Sequence, residues 1–421
     1  MDFATTRGAP TWRASGTIYG MTPDGSQPPD HFFTDVKWRF MRAGGAQLND
    51  GGYGAGLDGY RTRWDATLAQ YERTVALGGT FILLPHDLWG ADSTTSQGWP
   101  GDDGNWTLFD AFVAQLLDDV RAHGMTVQWD LWNEPDGRGF WEPSQDRYLR
   151  LWSRFFARVR DAFPGHLIVG PSTASRPDPE NAWWTAYLAH VAADDVAPDV
   201  YSWHDEPGDP VADVARADAT LAAAGLTRTR PYQINEYATS AMQSPGGGAW
   251  FIGRLERAGA DGLRGNWASG GNLHDYAANL LAKDDAGRYL PLGEWFVYRY
   301  YASQTGRIVE LVPEAGIDGL ATNDNSARNA KVLLGSDGAT GAVTVRLTGL
   351  DTTSVVANGR VRAVVRRVPH HGGAAVTGPQ TVSDTVLGVS GDAAALTLAW
   401  SNAEDAYTVT LLPPDGEEGA D

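Results

Sequence analysis

From residue 15 to about residue 305 the apolar positions switch repeatedly between two periods. Short runs, alternating or continuously apolar, fall at 15–21, 36–45, 79–89, 125–132, 166–172, 198–209, 232–236 and 262–271. Each is closed by turn residues, and each predicts a strand. Between them the spacing becomes helical, at 60–77, 108–121, 145–160, 180–192, 211–224, 249–258 and 294–301. In the first of these helices Leu68, Tyr71, Val75 and Ala76 share one face, and Gly78 and Gly79 stop it. The run 79–89, closed by Pro85, reads as a strand buried on both faces. Eight strands alternating with helices predict an α/β protein with a (β/α)8 TIM barrel, whose chemistry belongs at the C-terminal ends of the strands. A doubly wound sheet is the alternative, but its Gly-rich phosphate fingerprint is missing from the sequence.

The texture changes after residue 306. IVELVPEAG, AKVLLGSD, AVTVRLTGL, RVRAVVRRV and ALTLAWS are Val/Leu/Thr-rich runs separated by Gly, Asn and Asp. They predict an additional C-terminal antiparallel β-sandwich domain over 306–414. The expected organisation is therefore an N-terminal segment 1–14 packing on the sandwich, a catalytic barrel 15–305, the sandwich, and an acidic disordered tail 415–421. The basic run 359–367 is read as the solvated face of a strand.

Composition narrows the function. A net charge of −19 argues against nucleic acid and anionic membranes as partners. The absence of Cys removes disulfides, thiolate metal sites and Cys nucleophiles. No apolar run approaches the ~18 residues of a membrane span, and the N-terminus lacks a signal-peptide core. The chain is expected to be soluble, and cytoplasmic unless a leader has been removed, in which case it is secreted. Seventeen Trp is a high count. Trp89 and Trp141 either stack on sugar rings or fill the core.

The stretch VQWDLWNEPD, 127–136, carries the chemistry. Its extended pattern is stopped by Asn133, Pro135 and Asp136, which places Glu134 where a fourth strand gives way to a loop. PYQINEYATS, 231–240, places Glu236 likewise at the end of a seventh strand. Two carboxylates facing each other across a barrel mouth are the minimal equipment for cleaving a glycosidic bond, and retention requires about 5–5.5 Å between them. In this reading Glu134 is the general acid/base and Glu236 the nucleophile. Asn133 would hold the sugar hydroxyl beside the anomeric carbon. Arg42, at the end of the second strand, would keep the pKa of Glu236 low. His204, on strand six, would bond to Glu236 or to a sugar hydroxyl. Trp267 would floor the sugar ring, with core packing as its alternative. Tyr237, His86 and His274 complete the candidate substrate-binding set, with Asp275 weaker. A metal held by His86, Asp87, His204 and Asp205 lacks any known ligand spacing, so no metal or other cofactor is expected.

These residues carry a resemblance. WNEPD at a fourth strand, YSWH at a sixth, INEYATS at a seventh and NWA at an eighth resemble the retaining glycoside hydrolases of clan A. FILLPHDLW and GRYLPLGEWFVYRYYASQTG are similar to segments of glycoside hydrolase family 39. That family pairs a (β/α)8 barrel with a β-sandwich and includes β-xylosidases, α-L-iduronidases and enzymes acting on arabinose-containing glycans. The resemblance implies Glu134 as acid/base, Glu236 as nucleophile and a carbohydrate substrate. Asn235 departs from the family, which usually has Thr before its nucleophile. The loop 90–105 and the glycines 246–248 are expected to wall off a pocket, favouring action at chain ends. An endo-glycanase of the same clan and an inactive carbohydrate-binding protein are the alternatives.

Overall fold

The computed structural model describes residues 1–48, 51–92, 98–205, 208–266 and 272–416. A short strand, β1 (Asp2–Thr6), opens the chain. The next eight strands close on themselves: β2 (Gly16–Ile18), β3 (Phe40–Ala43), β4 (Thr80–Leu83), β5 (Gln128–Asp130), β6 (Ile168–Thr173), β7 (Val200–Asp205), β8 (Gln233–Tyr237) and β9 (Asp261–Arg264). All are parallel, and β2 pairs with both β3 and β9. The expected (β/α)8 barrel is the fold observed.

The surrounding helices are α1 (His31–Thr34), α2 (Leu57–Ala76), α3 (Pro85–Trp89), α4 (Thr107–Ala122), α5 (Gln145–Ala162), α6 (Ala182–Ala193), α7 (Pro210–Ala223), α8 (Pro245–Ala258) and α9 (Gly293–Ala302). Their starts follow local chemistry. Ser144, Asn181, Asp209 and Ser244 each accept a backbone N–H as N-cap, and α7 and α8 begin with Pro. The run 79–89 departs from expectation, since its strand ends at Leu83 and Pro85–Trp89 forms α3. Pro85 has no N–H for the ladder, while its fixed φ suits a first helical turn.

A hairpin of β10 (Leu281–Lys283) and β11 (Tyr289–Pro291) precedes α9. The remaining strands are β12 (Arg307–Glu310), β13 (Ile317–Asp324), β14 (Asn329–Ser336), β15 (Gly341–Leu347), β16 (Arg360–Val368), β17 (Gln380–Gly388), β18 (Ala394–Trp400) and β19 (Ala406–Leu412). One sheet runs β1-β12-β13-β14-β19-β16-β17, with β1 antiparallel to β12, and the pair β15-β18 lies over it. Phe3, Val332, Leu347, Leu350, Val409 and Trp400 fill the space between the layers. The residues of the tail beyond Gly416 lie outside the described residues. Among the described residues no helix is long and apolar enough to cross a membrane.

Barrel and sandwich meet through α8. The glycines 246–248 do not wall the substrate pocket; they form the first turn of this helix and are buried. A Cβ on Gly246 would lie 2.2 Å from the Ala403 carbonyl, one on Gly247 2.1 Å from the Met242 carbonyl and one on Gly248 2.7 Å from Glu294 Oε1. A Cβ on Gly335 of β14 would lie 2.2 Å from the Gly246 carbonyl, and one on Gly253 would lie 2.3 Å from the Gly319 carbonyl of β13. Arg254 and Arg257 of α8 then close on the buried Asp318 of β13 at 2.6 and 2.7 Å. Ala in place of a mid-helix Gly usually adds roughly 1 kcal/mol of stability. At Gly253 the backbone contact outweighs that gain. Gly253→Ala is expected to cost about 1–3 kcal/mol of stability through overpacking and so to lower the melting temperature; a raised melting temperature would contradict the contact.

Candidate active site

Asp130, the last residue of β5, is fully buried inside the barrel. Its carboxylate accepts from Arg42 Nε at 2.6 Å, Ser172 Oγ at 2.8 Å and Asn235 Nδ2 at 3.0 Å. One charged group thus ties β5 to β3, β6 and β8. Arg42 continues the chain of contacts, with Nη1 donating to Asn133 Oδ1 and to Glu236 Oε1, both at 2.9 Å. Burial alone would weaken the charge on Arg42. Asp130 and Glu236 reverse that, and its pKa is raised.

Two irregularities in the strands aim the side chains. Pro171 pairs with Ser202 and Thr173 with Trp203, which leaves Ser172 as an extra residue at φ 55°. Trp203 pairs with Ile234 and His204 with Glu236, which leaves Asn235 extra. A bulge turns the alternation of a strand by one position. Asn235 and Glu236 can therefore both reach the barrel interior, and Tyr237 faces outward. Glu134, just beyond β5, has φ 44° and donates its N–H to the Ser172 carbonyl at 2.9 Å. Non-Gly residues at such angles persist where the surroundings hold them, and they cluster at functional sites.

One imidazole touches both carboxylates. His204 Nδ1 lies 2.9 Å from Glu134 Oε1, and Nε2 lies 3.7 Å from Glu236 Oε1. Glu134 keeps 21% of its side chain exposed, Glu236 only 6%. Burial would raise Glu134, but the hydrogen bond and charge of His204 hold it below its ordinary pKa. Burial does raise Glu236, and His204 and Arg42 only partly oppose it. The expectation that Arg42 keeps the pKa of Glu236 low is thus overturned by desolvation. His204, which burial would leave neutral, is raised by Glu236 and Glu134. The resting site therefore keeps its proton on the imidazole side of the His204–Glu134 hydrogen bond.

The remaining candidates divide. Asn133 and His204 sit in this cluster. His86, at the start of α3, bonds through Nδ1 to Asp87 at 2.7 Å and packs edge-on against Trp132. Its Nε2 is buried without a hydrogen-bond partner. Trp89 packs among Tyr53, Phe109 and Phe112, away from the carboxylates. Trp141 is wedged between Trp99, Trp132 and Tyr148 and is 4% exposed, so its faces are taken. Tyr237 is also misplaced as a sugar contact, because its hydroxyl bonds to Ala14 O and Tyr298 behind the barrel wall. His274 accepts from Gln70 and donates to Ala46 O, and it braces Tyr19 edge-on. Asp275 pairs with Lys283. Trp267 lies outside the described residues, as does the side chain of Asp205. Among the described residues no three His, Asp or Glu are grouped to hold a metal.

Four participants were not singled out from the sequence: Asp130, Ser172, Asn235 as a tether, and Tyr19. The Tyr19 hydroxyl bonds to Asp87 and accepts from the Gly44 and Ala46 amides at 2.9 Å. Asp130 had a signal, since it shares parity with Gln128 on a strand whose partner Trp129 faces out.

No family model matches the chain, nor does any curated protein. Solved structures do. N2152 from Neocallimastix frontalis superposes with a TM-score of 0.80 at 22% identity, covering 98% of each chain. A family 39 glycoside hydrolase from Xanthomonas axonopodis pv. citri gives 0.62 at 18% identity over 98% of this chain and 96% of its own. A family 39 β-xylosidase from Caulobacter crescentus gives 0.60 at 18% over 98% and 99%. The likeness fixes the fold. It is a (β/α)8 barrel with an antiparallel sheet domain, shared end to end with glycoside hydrolases of several families.

The guanidinium of Arg42 neutralises two buried carboxylates. Arg42→Met is expected to cost about 3–5 kcal/mol by leaving them unpaired. Urea unfolding at pH 7 measures it, and a loss under about 1 kcal/mol would show that the pair is not holding the barrel interior.

Proposed function

We propose that the chain is a retaining glycosidase that removes units from the end of a pentose-containing plant glycan or oligosaccharide, of β-xylosidase or arabinosidase type. The observation that carries this reading is that Glu134 and Glu236, from strands on opposite sides of the mouth, touch a single imidazole. Glu236, against Arg42, attacks the anomeric carbon. The glycosidic bond breaks as the new ester forms, and Glu134 gives its proton to the leaving oxygen. In the second step Glu134 takes a proton from water, and the resulting hydroxide displaces Glu236 with net retention. The proton for the first step comes along the 2.9 Å hydrogen bond from His204, so the resting and reactive forms differ only in which side of that bond holds it.

Limited exposure of both carboxyls favours a chain end over a threaded polymer. Trp99 packs against Trp132 and Trp141, beside the segment that carries Glu134. Similar structures include a family 51 α-L-arabinofuranosidase from Bifidobacterium longum and a bifunctional glucanase-xylanase from a metagenome library, alongside the Caulobacter β-xylosidase. Pentose substrates recur among them, and that supports the sugar class.

Glu236→Ala is expected to lose roughly 10³-fold or more in turnover, with partial recovery in azide or formate. Glu134→Ala should still cleave aryl glycosides whose leaving groups need no proton. Ordinary activity in both variants would sink the assignment. His204→Asn removes a cation that favours the ionised form of Glu236. The acidic limb of kcat/KM should then move to higher pH; an unmoved or lowered limb would contradict the proton distribution given above.

A further inference from the structure

A cavity of about 510 Å³ lies at the seam of the two domains. The barrel lines it with the loops after β8 and β9, through Gln243, Tyr276, Asn279 and Lys283, and the sandwich closes it with His370 and Glu404. The volume falls within the range of small-molecule sites.

Its barrel wall is built under strain. Tyr276, Ala277, Ala278 and Asn279 have φ of 61°, 48°, 53° and 65°. Four consecutive left-handed residues, none of them Gly, cost roughly 1–2 kcal/mol each. The turn packs onto Gly20, where a Cβ would lie 2.6 Å from the Ala278 nitrogen. The turn brings two side chains to the cavity, the Tyr276 ring and the Asn279 amide. Asn279 Nδ2 donates to Gln243 Oε1 at 3.0 Å. Gln243 Nε2 in turn donates to the carbonyls of Gly265, at 2.8 Å, and Ala238, at 3.3 Å. Ala238 follows the nucleophile by two residues, so the amide pair fixes the cavity wall to the end of the nucleophile strand.

The charges in the lining are matched. Lys283 is paired with Asp275 and lies over the rings of Tyr276 and Tyr289, at 5.0 and 4.5 Å. His370 Nε2 faces Glu404 at 3.4 Å. Paired cations offer little to a phosphate or a uronate. The Gln243 amide is spent on its neighbours, but it holds the Asn279 amide, whose Oδ1 and second N–H, beside an aromatic ring, suit a neutral polyol. We propose that this cavity is a secondary carbohydrate-binding site, separate from the carboxylate pair, that holds a neutral sugar unit of the glycan on which the barrel acts. The proposal rests on the glycosidase reading for the identity of that glycan.

The test uses the full chain carrying Glu236→Gln, titrated by calorimetry with xylohexaose, α-1,5-arabinohexaose and cellohexaose. At least one is expected to bind at two sites. Gly373 lines the cavity on the sandwich side, and a Cβ there would meet nothing within 4 Å, so Gly373→Trp places a bulky ring at the cavity from an uncrowded backbone position. That change should abolish one of the two binding events, and Tyr276→Ala should weaken the same event about tenfold. With Glu236 restored, Gly373→Trp should turn over aryl glycosides as the parent does. Binding at one site only, or at none, for all three sugars overturns the proposal, as does two-site binding that neither substitution alters. A parent protein that binds at two sites yet hydrolyses no aryl glycoside contradicts the activity and leaves the cavity standing.

Discussion

The site depends on one buried ion pair. Arg42 and Asp130 meet at 2.6 Å with almost no exposure on either side. Taking both from water is costly, and the cost is offset only if every remaining lone pair and N–H is used well. Most of them are. Ser172 and Asn235 occupy the carboxylate, and Asn133 and Glu236 occupy the guanidinium. The pair itself sits on β3 and β5, and its partners arrive on β6, β8 and the segment just after β5, so the pair fixes the relative positions of the strand ends that carry the two carboxyls.

Geometry and proton placement follow from the same contacts. Around the mouth, Asp87, Asp130, Glu134 and Glu236 crowd against Arg42, His86 and His204. Buried Glu236 is raised by desolvation, whereas Glu134, nearer solvent and bonded to His204, is lowered. His204 lies close to both groups, and a proton passed along its hydrogen bond would protonate Glu134 without adding a proton to the cluster, leaving Arg42 to hold the charge of Glu236.

Much of this was legible in the sequence because period and punctuation survive in a barrel. Each of the eight strand runs and the longer helices between them could be placed from apolar spacing and Gly or Pro stops, whereas the short α1 and α3 were not. What escaped was local. Alternation is a rule for regular strands, and the extra residues Ser172 and Asn235 break it, so no count along INEY could say that Asn235 and Glu236 both reach inward while Tyr237 turns away. Pro85 read as the end of a strand and is the start of a helix. The glycines 246–248 read as loop material, but each faces a different close neighbour, Gly246 the Ala403 carbonyl, Gly247 the Met242 carbonyl and Gly248 the Glu294 carboxyl, two of them far along the chain. The aromatic residues Trp89 and Trp141 gave no sequence cue to separate a sugar platform from core packing, and the structure assigns both to packing.

The central claim is that Glu236 becomes covalently attached to sugar. Incubation with an activated 2-deoxy-2-fluoro xyloside or arabinoside, followed by mass spectrometry of the digested protein, tests it directly. The account predicts one glycosyl group per chain, on the peptide containing Glu236. An adduct on another residue, or turnover of the unfluorinated sugar with inverted stereochemistry and no adduct, would contradict it.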